Sequence, residues 1–152
     1  MKMTPELIKA EKNMKPGVIV STGFLGEDNR HLSDIIESDE ELINELNLKI
    51  PNLVEKMKYL LKEGEKGLGE PITIDKIFEV MVYEARGVIP CPFEDGVFKK
   101  INVKVKNKNS GKEILYSDLS IHLIEKHHFF QGKGSDFRLD PEKLKETLEL
   151  EE

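Results

Sequence analysis

The segment Gly64-Glu65-Lys66-Gly67-Leu68-Gly69-Glu70-Pro71 divides the chain into two parts with different hydrophobic periods. Glycine and proline at this density support neither a helix nor a paired strand. Before the segment, apolar residues recur at helical spacing; after it, they alternate. Helices first and strands afterwards argue for an α+β fold over an alternating α/β one. The expected architecture is a set of N-terminal helices packed with a small antiparallel sheet, with further helices at the C-terminal end. The 152 residues fit one domain, 1–152, with 64–71 as its internal boundary. A globule of that size buries roughly 70% of the surface its unfolded chain exposes, so a core can form without staples.

The helical part has readable punctuation. Thr4-Pro5-Glu6 is a helix start with proline in the first turn, Met3 is placed to pack on Ile8, and Pro16-Gly17 ends the helix. Val18-Ile19-Val20 reads as a short strand or a buried linker. Leu32, Ile35 and Ile36 recur at helical spacing, and Ser38 with Glu41 reads as a capping box opening a separate helix through Leu42, Ile43 and Leu46. Pro51 or Asn52 opens the clearest helix, with Leu53, Val54, Met57, Leu60 and Leu61 on one stripe and Glu55, Lys56, Lys58 and Lys62 opposite.

Beyond the break, Phe78, Val80 and Val82 alternate with Glu79, Met81 and Tyr83. After the corner Pro90-Cys91-Pro92-Phe93 and the turn Glu94-Asp95-Gly96, Ile101, Val103 and Val105 alternate with Asn102, Lys104 and Lys106. Asn109-Ser110-Gly111 turns the chain and Glu113-Ile114-Leu115-Tyr116 returns it as a hairpin. Ser117 caps a helix running to about His128, with Gly132 as its terminator, and Asp140-Pro141-Glu142 opens a last helix with Leu139 stapled to Leu144.

A single cysteine excludes a disulfide scaffold and suits a reducing compartment. No apolar run fits a signal peptide or reaches membrane-spanning length, so the expectation is a soluble cytoplasmic protein without a membrane partner. The net charge of −6 opposes a bulk attraction to nucleic acid. Acids dominate from Glu27 to Glu45, and lysines alone carry charge from Lys99 to Lys112. The stripe Lys104, Lys106 and Lys108 lacks the interleaved aromatics that stack bases, and reads instead as protection of a sheet edge. The Lys/Glu-rich composition, with one glutamine and no tryptophan, suits a thermophile.

Chemistry concentrates in Cys91, bracketed by prolines, and in His122, His127 and His128 on one helix. Imidazole and thiolate are ligands for borderline-soft metals and partners in nucleophilic catalysis. Cys91, His122 and His127 supply three ligands for a metal, most simply Zn²⁺, with Asp95, Glu94 or water completing a tetrahedron. Helix phase opposes this, since His122 and His127 point about 140° apart and a shared ion would need the last turn to distort. Alternatively Cys91 is a nucleophile, His122 its base and Asp118, one turn before His122, the group orienting the imidazole. In the simplest reading the imidazoles cap the helix C-terminus, Cys91 is a small core residue and Asp118 is a favourable charge in the first helical turn. His31 reads as a surface residue, and Gly132-Lys133-Gly134-Ser135 is like a phosphate loop in composition only.

Leu119-Ser120-Ile121-His122 followed by His127, arriving after a hairpin, resembles the second half of a ββα zinc finger. The hairpin lacks the two cysteines of such a finger, so its DNA-reading role does not transfer. More widely, Cys91-Pro92-Phe93, Asp118-Leu119, His122, His127, Gly132-Lys133-Gly134-Ser135 and Arg138-Leu139-Asp140-Pro141 resemble the C-terminal part of an uncharacterised family of small bacterial cytosolic proteins, a resemblance that implies no activity. Three readings stand at this point. They are a non-enzymatic domain with a structural zinc site, a thiol-dependent enzyme using Cys91 with His122, and a protein-interaction module with neither.

Overall fold

The computed structural model describes residues 2–150. They form an α+β fold of five helices and one four-stranded antiparallel sheet. The helices are α1 (Pro5–Asn13), α2 (Leu32–Glu45), α3 (Ile50–Gly64), α4 (Asp118–His127) and α5 (Pro141–Leu148). The strands, in the spatial order β1-β2-β3-β4, are β1 (Ile72–Ile74), β2 (Phe78–Pro90), β3 (Val97–Asn107) and β4 (Glu113–Ser117). Among the described residues no helix is long and apolar enough to cross a membrane.

Local rules account for most element boundaries. Thr4 Oγ1 accepts from the Leu7 N–H, supplying the cap expected ahead of Pro5. Ser117 caps α4 through the Ser120 N–H, and the Ser120 hydroxyl accepts from the Ser117 N–H in return. Asp140 accepts from the Lys143 N–H to open α5. Ser38 caps nothing: α2 runs unbroken from Leu32 through it to Glu45, because Ile35, Ile36 and Ile43 bury one continuous stripe that outweighs a local start signal. Residues 18–20 form turns, with Val18 exposed.

Along α3, Leu53, Met57 and Leu60 are fully buried, each contributing about 1.5–3 kcal/mol from the apolar surface removed from water. They face Val80 and Val82 of β2, which pair with Val105 and Val103 of β3, and these in turn pair with Ile114 and Tyr116 of β4. The last residue of α3, Gly64, lies so close to the sheet that a Cβ there would come within 2.6 Å of both Val80 and Val82. The Gly/Pro segment 64–71 thus separates helical from β sequence while residues on both sides of it share one core.

A second apolar cluster joins α1 (Ala10, with Met14 just beyond its end), Phe24 and Leu25, α2 (Leu32, Ile35, Ile36), Cys91 and Phe129. Helix α4 belongs to both cores, giving Ile121 and Ile124 to the first and Leu119 and Leu123 to the second. Strand β3 is an inner strand, which corrects the expectation that its lysines guard a sheet edge. Lys104 instead pairs with Glu113 at 3.4 Å, and Lys106 stands in register between Glu79 and Glu113. Helix α4 is ended by His128, in the left-handed conformation at φ 52°, and not by Gly132.

Candidate metal centre

Strand β2 ends at Pro90, where the chain enters a tight loop. The Cys91 N–H donates to Gly96 O and the Glu94 N–H to Cys91 O, both at 2.9 Å, with Glu94 in the left-handed region at φ 64°. This closure brings Asp95 back beside Cys91. Helix α1 braces the loop from outside: Asn13 Nδ2 donates to Pro92 O and to Glu94 Oε2, and Lys9 pairs with Glu94 at 3.3 Å. Of the two acids in the turn, Glu94 therefore faces α1, and Asp95 faces the histidines.

The loop lies against α4. His122 Nε2 is 2.9 Å from Asp95 Oδ1, and His127 Nε2 is 2.7 Å from Asp95 Oδ2, so one carboxylate bridges both rings. One ligand atom from each of Cys91, Asp95, His122 and His127 lies within 4.8 Å of every other, and the group could hold a metal ion. The objection from helix phase fails. The helix is regular through His127, whose ring reaches back over the preceding turn, as long side chains on helices do, to stand edge-on to His122 with centroids 5.3 Å apart. Two aromatic rings of the loop and β3 hold the imidazoles: Phe93 stacks on His127 and Phe98 packs at 4.5 Å on His122.

Burial and mutual hydrogen bonding set the electrostatics of the group. Cys91 is 1% exposed; burial first, and the neighbouring Asp95 carboxylate second, push its thiol up to about 12. Burial works to raise Asp95 as well, but its hydrogen bonds with Cys91, His122 and His127 outweigh that and hold it well below the usual carboxylate range. Burial depresses the His127 imidazole despite the opposing pull of Asp95. The chain has gathered a buried thiol, two half-buried imidazoles and an exposed carboxylate at one spot.

The remaining candidates fall elsewhere. Asp118 is in the first turn of α4, where burial raises its carboxyl, and the observed hydrogen bond of the His122 ring goes to Asp95. His128 pairs with Glu40 of α2 at 2.6 Å, away from the four-residue group. His31 is the exposed N-cap residue of α2. In Gly132-Lys133-Gly134-Ser135 the glycines serve backbone packing: a Cβ at Gly132 would collide with the Leu25 carbonyl, and Lys133 O accepts from the Glu27 N–H at 2.9 Å.

No family model matches the chain, and comparisons with curated proteins and with solved structures found no match either.

Proposed function

We propose that Cys91, Asp95, His122 and His127 are the four ligands of a structural Zn²⁺ site that pins the β2–β3 loop to α4. The carrying observation is the mutual approach of the four ligand atoms within 4.8 Å. Tetrahedral zinc, with bonds of about 2.0–2.3 Å, needs its ligand atoms about 3.3–3.7 Å apart, so small side-chain adjustments suffice. A thiolate and two imidazoles favour zinc over the hard cations magnesium and calcium, which take oxygen donors. With thiolate and carboxylate both ionised and both imidazoles neutral, the ligand charge balances that of the ion. A bound dication would draw the proton from the Cys91 thiol that burial otherwise retains.

Four protein ligands leave no open position for water or substrate, which supports a structural role over hydrolytic catalysis. The thiol-enzyme alternative gains less support. A buried thiol beside a carboxylate is raised in pKa, the reverse of what activates a nucleophile. The protein's wider role then lies with its surface, held in shape by this site.

The test is elemental analysis of protein purified without chelators. Zinc at about one equivalent per chain, lost in Cys91→Ala, is the expected result. A metal-free protein that takes up no added zinc, and whose Cys91 alkylates rapidly, would overturn the proposal in favour of thiol chemistry. Metal-free protein with an inert thiol would leave the interaction module.

A further inference from the structure

We propose that the cavity of ≈ 340 Å³ between the sheet and the loops 20–24 and 131–137 is a binding site for a small amphiphilic carboxylate. Its size lies at the lower end of the range of small-molecule sites, about 300–1,000 Å³. The apolar side consists of Phe24, Ile89, Leu119 and Phe137. On the sheet, Lys100 pairs in register with Ala85, and Asn102 with Ser117; all four line the same space.

Three observations point to an anionic head. Lys100 is half-buried in the lining and has no carboxylate partner among the described residues. Gln131 is 6% exposed and also lines the cavity. One end of its carboxamide is matched by the Ser135 hydroxyl at 2.6 Å, and the other end has no protein partner among the described residues. That N–H end keeps some solvent access, so it is a donor that a bound carboxylate can take over from water. The lining carries two lysines, Lys99 and Lys100, against one acid, Asp136, which accepts from Thr22 Oγ1 at 3.3 Å, so its formal charge is net positive. Positive charge with an apolar wall suits a carboxylate carrying an aliphatic or aromatic body.

The walls are preformed, which limits the ordering cost of binding. The Phe24 N–H donates to Met14 O and the Gly132 N–H to Phe24 O, both at 2.9 Å. A Cβ at Gly23 would come within 2.5 Å of Met14 O, and one at Gly26 would collide with the backbone at Gly134 and Ser135. The two loops are fastened backbone to backbone, leaving the cavity open beside them.

The experiment is an amide-shift titration of the isotope-labelled full chain with octanoate, 1-octanol and inorganic phosphate. Octanoate should give saturable shifts centred on Lys100, Gln131 and Ser135, with 1-octanol at least about tenfold weaker. Phosphate should leave these signals in place. Lys100→Met should keep the spectrum elsewhere and bring octanoate down to the affinity of 1-octanol. Absent or non-saturable octanoate shifts, shifts mapping outside the lining, equal binding of 1-octanol by the unmodified chain, or displacement of octanoate by phosphate would each overturn the proposal. So would octanoate affinity unchanged in Lys100→Met.

Discussion

The ring of Phe93 lies flat on the ring of His127, with centroids 3.8 Å apart and planes 6° from parallel. The contact fixes the imidazole plane, so that Nε2 is aimed at Asp95 instead of turning to solvent. Groups that orient a metal ligand without touching the ion typically carry about 10–100-fold in affinity. Phe93→Ala should therefore weaken zinc by about that factor, read by competition with a chromophoric chelator, while the stoichiometry stays at one. Unchanged affinity would show that the stacking does not position the ligand.

Neighbouring acids in the same turn should behave differently. Asp95 bridges the two histidines, whereas Glu94 is held by Asn13 and Lys9. Asp95→Ala should release zinc to mild chelation, and Glu94→Gln should retain zinc as the unmodified protein does. Loss of zinc in Glu94→Gln, with retention in Asp95→Ala, would move the fourth ligand to the other carboxylate.

Asp28 gives the fold a pH dependence that does not involve the Cys91, Asp95, His122 and His127 group. Its hydrogen bonds with Arg30, at 2.8 and 2.6 Å, lower its carboxyl to about 2 from 3.8, against the opposing effect of burial. A carboxyl depressed in the folded state stabilises it fully above the unfolded value and loses that contribution as pH falls from about 4 towards 2. Allowing for the partial exposure of Arg30, the contribution is about 1–2 kcal/mol. In urea denaturation, Asp28→Asn should be less stable by that amount at neutral pH, and the difference should shrink as the pH is lowered through this window. A constant difference would contradict the assignment.

Two glycines distinguish close packing from backbone conformation. Gly132 abuts the Leu25 carbonyl, whereas Gly111, at φ 76°, has nothing within 4 Å of the place a Cβ would occupy. Gly111→Ala should cost about 1 kcal/mol, the penalty of a left-handed backbone. Gly132→Ala must displace backbone and should cost more than about 3 kcal/mol. Thermal unfolding of both variants makes the comparison, and equal losses would mean that segments 23–27 and 131–135 are not tightly apposed.

The sequence was informative wherever one stripe or one cap decided the outcome, as for the buried face of α3, the Thr4 and Ser117 caps, and the alternation of Val103 and Val105 in β3. It was uninformative where tertiary contacts decided. Strand β1 has three residues and no period to detect. The outer half of β2 is largely exposed on both faces and carries a register shift between Ala85 and Val88, so it shows no alternation. The Ser38 signal was overridden by the core beneath α2. At the candidate site, Cys91, His122 and His127 stood out by residue type, whereas the turn offered Asp95 and Glu94 alike, and only the contacts of Glu94 with Asn13 and Lys9 separate them. Spacing along the helix was misleading, because it describes where Cβ atoms start and not how far an imidazole reaches. The cavity beside Lys100 had no sequence signature, being assembled from two loops and a sheet.

X-ray absorption at the zinc edge tests the central claim most directly, because it counts the atoms bonded to the ion. The geometry calls for one sulfur at about 2.3 Å and three nitrogen or oxygen neighbours at about 2.0–2.1 Å, with the sulfur contribution lost in Cys91→Ser. A zinc shell made entirely of nitrogen and oxygen would contradict the account, since Cys91 would then not be joined to the histidines of α4.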